Sequence, residues 1–195
     1  AQLDRSAATR GAFWHRDYSS AKAYAAALQP FRDQLAGMIG APAGALRQPP
    51  LTARQLAARR EPVGEVDGIR MERVWLRSRT GLTAYGILLT PPGAGRKPAV
   101  VAIHGMGSSP ERVAGLLEPN DYVRRFGLRL ARRGYVVFAP LDVNTAALRE
   151  RLDRKAMLLG TRLQWLEQAK IFADVDFLTT LPQVDARHIG LYGIS

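Results

Sequence analysis

Apolar residues fall into two textures along the chain. Over residues 1–60 they recur at helical spacing within polar surroundings. Ser19 and Ser20 can cap a helix through SSAKAYAAALQ, and Pro30 interrupts it. FRDQLAGMIG then carries Phe31, Leu35, Met38 and Ile39 on one side until Gly40 and Pro42 end the run. Gln48-Pro49-Pro50 forms a link to a short segment, TARQLAARRE. These 60 residues read as a helical, peripheral segment.

From Ile69 the texture turns to strands. IRMERVWLRS and LTAYGILLT flank Arg79-Thr80-Gly81, a turn whose glycine accepts positive φ, so the pair predicts an antiparallel hairpin. PAVVAIHG and GYVVFAP are continuous apolar runs, the pattern of strands covered on both faces in parallel sheets. Between them, Asp121 can cap a helix to about Arg133, with Val123, Phe126 and Leu130 inward and Arg125, Arg129 and Arg132 outward. A polar, arginine-rich stretch from Leu141 to Lys155 precedes a long helix from about Thr161 to Leu181, with Ile171, Val175 and Leu178 on its buried side. IGLYGIS reads as a third buried strand. Strand, helix, strand, helix, strand at this spacing predicts right-handed parallel crossovers in a doubly wound α/β sheet.

Composition narrows the chemistry. The 195 residues are 47% hydrophobic and 23% charged, which suits a globular domain with a real core. There is no cysteine, hence no disulfide and no thiolate nucleophile. His15, His104 and His188 are far apart and in no ligand-like spacing, so no metal is expected. No apolar run approaches the ~20 residues needed to cross a bilayer, and AQLDRSAATR lacks the apolar core of a signal peptide. A start at Ala1 fits a matured secreted protein as well as a trimmed chain; a secreted or periplasmic location is taken as the expectation. The formal charge is +11, and four of the 28 basic residues are lysine, leaving 24 arginines. These are spread from Arg5 to Arg187 instead of being gathered among stacking aromatics, so nucleic acid is not the expected partner.

The last residues, Gly193-Ile194-Ser195, give the first half of a nucleophile elbow, G-x-S-x-G, at the end of a third parallel strand, where that motif belongs. A serine hydroxyl is a poor nucleophile unless a sharp turn presents it to a base on one side and to substrate on the other. A G-x-S is by itself also an ordinary turn. The second element is His104-Gly105-Met106-Gly107-Ser108-Ser109-Pro110 after PAVVAIHG. Backbone N–H groups of such a loop can face a developing oxyanion, where each contributes about 3–4 kcal/mol. The same loop could equally be a flexible connection. A dinucleotide fingerprint beginning Gly105-Met106-Gly107 fails because Pro110 occupies its third glycine position.

Together these segments resemble the α/β-hydrolase family: AVVAIHGMGSS its third strand and oxyanion loop, GYVVFAP its fourth strand, and IGLYGIS its fifth strand and nucleophile elbow. The lead-in, the hairpin and HGMGSSPE are most similar to its acetyl xylan esterase, dienelactone hydrolase and prolyl-oligopeptidase-like branch. The resemblance covers roughly Glu65 to Ser195. It implies an N-terminal part of an α/β-hydrolase fold, a mostly parallel doubly wound sheet with an antiparallel hairpin at its start, preceded by a helical segment. The division implied is 1–60 and an incomplete hydrolase domain over 61–195. It makes Ser195 the nucleophile and the backbone N–H of Met106 one oxyanion donor. The implied activity is cleavage of carboxylic esters through an acyl-enzyme on Ser195, without a cofactor and with a small-molecule ester as substrate. A peptidase of prolyl-oligopeptidase type uses the same groups but carries a propeller for which ~60 leading residues are too few; a noncatalytic binding module is the alternative of another class.

In the family the second oxyanion donor, the acid and the histidine follow the nucleophile, so the chain is expected to be a fragment, half of a nicked protein, or a polymer interrupted at a modified serine. It would then be inactive alone, with the C-terminal remainder as its partner. His104 is expected to support its loop by hydrogen bonding, His188 to lie on the surface, and His15 to join the packing of FWHRDY. Asp142, at the carboxyl edge of the sheet, is expected to cap a loop. Asp174, Asp176 and Asp185 are expected to be solvated, Trp165 and Phe172 to be core, and the arginines of 149–154 to lie on a solvated excursion.

Overall fold

The computed structural model describes residues 2–118 and 122–195. Contacts divide the chain into two compact units, residues 1–48 and 49–195.

The first unit is helical. Helix α1 spans Gln2–Phe13 and α2 spans Ala21–Met38. The Ser20 hydroxyl accepts from Ala23 N at 3.0 Å, the cap expected for α2. The helix does not stop at Pro30, however. It runs through it and forgoes one backbone bond, because Phe31 to Met38 continue the helical pattern on the far side. The rings of Trp14 and Phe31 lie 4.9 Å apart and those of Phe13 and Phe31 5.1 Å.

The second unit opens with α3 (Ala53–Leu56), closed at its start by a capping box between Thr52 and Gln55. Leu56 is fully buried in the sheet's core, which is why the boundary falls at residue 48, earlier than the change of sequence texture at 60. Six strands follow: β1 (Arg59–Val66), β2 (Ile69–Arg77), β3 (Thr83–Thr90), β4 (Lys97–Ile103), β5 (Val136–Pro140) and β6 (Val184–Gly193). Their order in the sheet is β1-β2-β3-β5-β4-β6. β1 to β3 and the β3–β5 junction are antiparallel; β5, β4 and β6 are parallel. The β2–β3 hairpin turns at Gly81, with φ of 78°. β1 was not anticipated, since RREPVGEV alternates poorly and lies exposed at the sheet's edge.

Helices cover both faces. On one, α7 (Leu163–Thr180) sets Ala173, Phe177 and Leu178 against Val74, Leu88, Val101 and Phe138. On the other, α4 (Pro110–Ala114) and α5 (Phe126–Ala131) set Val113, Phe126 and Leu128 against Ile87, Leu89, Ala102 and Val137. Even and odd positions of the same strands feed opposite cores, which explains the continuous apolar runs. This is the N-terminal architecture of an α/β-hydrolase fold.

Several expectations are corrected here. The helix expected from Asp121 begins at Phe126, because Arg124 and Arg125 take positive φ of 45° and 55° and break the turn; Asp121 itself lies outside the described residues. The stretch after β5 is not an extended solvated excursion but carries α6 (Ala146–Leu158). In α7, Ile171 and Val175 are half-buried, while Asp174 and Asp176, expected in solvent, are 0% and 8% exposed. Asp176 is held by Leu51 N at 2.8 Å and by Arg79 at 3.2 Å. β6 pairs with β4 along one edge, and among the described residues no strand pairs with its other edge. Leu191 and Tyr192 are therefore 59% and 49% exposed, where a strand buried on both faces was expected.

Candidate active site

Parallel pairing sets the site. Ile103 at the end of β4 is in register with Gly193 at the end of β6, so the segments following both strands leave the sheet at the same carboxyl rim. Ile194 N donates to Ile103 O at 3.4 Å and carries the pairing one residue further. Ser195 follows with φ of 82°, the left-handed region that a non-glycine residue occupies at a cost of order 1–3 kcal/mol. A sharp, strained turn of this kind lifts a hydroxyl off a strand end.

Gly105 stands against that serine. A Cβ on Gly105 would lie 2.5 Å from Ile194 O, 2.7 Å from Ser195 Cβ and 3.3 Å from Ser195 Oγ. The absent side chain is what lets the two segments touch. Gly105 also starts a tight turn: Ser108 N donates to Gly105 O at 3.2 Å, and Gly107 supplies the positive φ, 75°, that the third position of a type II turn requires. Among the described residues nothing accepts from the N–H of Met106, which lies in the first half of the turn.

His104 anchors this turn from beneath. It is 4% exposed, its Nδ1 donates to Gly105 O at 2.9 Å, and its Nε2 accepts from Asp142 N at 3.1 Å. A carbonyl can only accept and an amide N–H can only donate, so the ring is neutral with its proton on Nδ1. Because the peptide is trans, holding Gly105 O on one side turns the N–H of Met106 to the other. With both nitrogens engaged, His104 has none left to take a proton from Ser195. His188 instead pairs through Nδ1 with Asp185 Oδ2 at 2.8 Å in the first half of β6, and His15 is an exposed residue of the other unit.

Asp142 does more than cap its loop. Its Oδ1 accepts from Val143 N at 2.9 Å, and Val143 N also reaches Glu167 Oε1 at 3.1 Å. Arg149 of α6 donates to the same Glu167 oxygen at 3.1 Å and lies 4.0 Å from Asp142 Oδ2. Burial, followed by the hydrogen bond and negative charge of Asp142, pushes the Glu167 carboxyl up to about 7, while Val143 N–H and Arg149 pull it down. Asp174 sits fully buried beside a small cavity lined also by Tyr85, Ile103 and Asp142, with neither oxygen hydrogen-bonded; burial keeps its carboxyl well above the ordinary range.

Ser195 and the turn that starts at Gly105 are thus brought together. Glu167 and Asn144 were missed. Glu167 was legible as one acid on an otherwise apolar helix face; Asn144 looked like any polar residue of a connecting loop. Among the described residues no group of three His, Cys, Asp or Glu side chains is placed to hold a metal ion.

No family model and no curated protein matches this sequence. Solved structures do resemble it. One is a protein assigned as an acetyl xylan esterase of Bacteroides fragilis NCTC 9343, with a TM-score of 0.70 at 16% identity, covering 93% of this chain and 49% of that one. Acetyl xylan esterase 1 of Thermoanaerobacterium sp. JW/SL YS485 has a TM-score of 0.50 at 16% identity, over 77% of this chain and 46% of its own. The fold is shared with these esterases, and the chain spans about half their length.

Proposed function

We propose that this chain carries the nucleophile half of a serine hydrolase that cleaves carboxylic esters. The observation that carries the reading is the contact between Gly105 and Ser195, which sets a hydroxyl on a strained turn beside a loop offering an uncommitted backbone N–H. Ser195 Oγ adds to the ester carbonyl carbon as its proton passes to a base. The carbonyl oxygen becomes an anion facing Met106 N–H, and the C–O bond to the alcohol breaks to leave an acyl-serine that water then hydrolyses.

The base and its supporting acid come from outside residues 1–195. Support for this is the engagement of both His104 nitrogens and the pairing of His188 with Asp185, away from the rim. On this reading the segment is inactive alone, and the sequence following Ser195 is its partner. The esterases sharing its fold support an ester as substrate.

The test is labelling by a fluorophosphonate. Applied to the full-length protein, it is expected to modify the peptide containing Ser195, read by mass spectrometry. A folded protein in which Ser195 stays unmodified removes the proposal.

A further inference from the structure

Three peptide units carry the turn that starts at Gly105, and a single residue from another loop grips two of them. The backbone carbonyl of Asn144 accepts from Gly107 N at 2.8 Å, while its side-chain Nδ2 donates to Ser108 O at 2.9 Å. Asn144 lies between β5 and α6, in a loop that is itself fixed at successive residues. Asp142 N is bound to His104, Val143 N to Glu167 and Asp142, and Val143 O accepts from Arg149 at 3.3 Å.

We infer that Asn144 is a positioning residue for the oxyanion donor: by clamping Gly107 and Ser108 it holds the Met106 N–H where the anion forms. This rests on the ester-hydrolase reading. The turn's first peptide is set by His104 and the Ser108 N–H, as described above. Its later units would otherwise be free to rotate, since Gly107 is the residue with the widest backbone freedom. Rotation of the Met106–Gly107 unit would shift Met106 and swing its N–H with it. An asparagine suits this task because one side chain and one backbone carbonyl, two bonds apart in direction, supply a donor and an acceptor to adjacent units. Aspartate has the same shape but presents an acceptor where Ser108 O requires a donor.

The bond is made to the protein and not to the substrate, so its loss acts on the transition state through Met106 and leaves ground-state binding unchanged. In the full-length protein, Asn144→Ala is expected to slow phosphonylation of Ser195 by a fluorophosphonate, and kcat for a simple acetyl ester, by about tenfold, with KM within about twofold. Asn144→Asp is expected to be slowed at least as much, and it carries the test should the alanine variant not fold. Backbone hydrogen exchange at residues 106–108, followed by mass spectrometry, is expected to quicken in both, independently of any reaction.

If the unsubstituted protein labels at Ser195 and the variants label at the same rate, or if KM rises while kcat is unchanged, the positioning role is overturned and the hydrolase reading stands. If the unsubstituted protein does not label, the hydrolase reading falls and takes this role with it. Unchanged hydrogen exchange in the variants overturns the clamp itself.

Discussion

The N–H of Asp142 donates to Nε2 of His104 across 3.1 Å, and this one bond fixes which ring nitrogen carries the proton. It also separates two roles a histidine next to a nucleophile could take. A base needs a free lone pair facing the serine; a brace needs both nitrogens occupied. His104→Ala would strand the Asp142 N–H, release Gly105 O and open a cavity, at a cost of about 2–4 kcal/mol. The expected outcome is a lowered urea midpoint together with slower but measurable labelling of Ser195, whose pH profile keeps its shape. Loss of all labelling at unchanged stability would instead make His104 the base.

Gly105→Ala probes the approach of the two loops. The new methyl would overlap the backbone oxygen of Ile194 and the Cβ of Ser195, at 2.5 and 2.7 Å, and neither is the free end of a flexible side chain. The serine must move by a large part of an ångström, which for a reacting group costs about a hundredfold in rate. A stability loss of about 1–3 kcal/mol accompanies it. Fluorophosphonate kinetics and chemical denaturation of the same sample measure both, and a variant that labels at the parental rate contradicts the contact.

Legibility followed period. PAVVAIHG, GYVVFAP and the hairpin around Gly81 could be read because each buries a run or an alternation that only a strand satisfies, and their order then dictated a rim on which Ser195 and the HGMG turn meet. β1 was hidden, since an exposed edge strand needs no apolar face. Asp174 and Asp176 were misread because charge in a helix ordinarily marks the solvent side, whereas these two lie on the buried face of α7, one held by Leu51 and Arg79 and the other without a partner. The braces of the turn were invisible for a different reason. Asn144 acts through its own carbonyl and amide on residues 36 and more positions away, a relation that arises when β4 and β5 pair.

Gly86 offers a check on the sheet itself. A Cβ there would stand 2.5 Å from Ala139 O and 2.7 Å from two ring carbons of Phe138, inside the β3–β5 junction. Gly86→Ala is expected to cost about 3 kcal/mol, the upper part of the range for overpacking, because backbone on one side and a buried aromatic on the other leave no direction for relief. Equilibrium urea unfolding measures it. A cost under about 0.5 kcal/mol, the size of an ordinary surface change, would argue against this pairing.

Glu167 makes stability depend on pH in a direction opposite to that of a salt-bridged carboxylate. Burial and the neighbouring Asp142 raise its carboxyl from 4.5 to about 7 in the folded protein. Between these values the folded state holds a proton that the unfolded chain has released, so unfolding loses free energy as pH rises. The contribution is complete below about pH 4.5, declines through the interval, and is gone once the pH passes about 7. Its size is on the order of 1–3 kcal/mol, the pair with Arg149 and residual solvent holding it to that range. Glu167→Gln keeps an oxygen for the Val143 N–H and offers a permanent N–H in place of the titrating proton, so its stability should lack this component. The measurement is the difference in unfolding free energy between the parent and Glu167→Gln at pH 5 and at pH 8. The parent is expected to lose ground to the variant as pH rises, by the amount stated. Parallel curves over that interval would mean that Glu167 is ionised throughout, and that the Val143 N–H and Arg149 outweigh burial and Asp142 at the loop from which Asn144 reaches the turn.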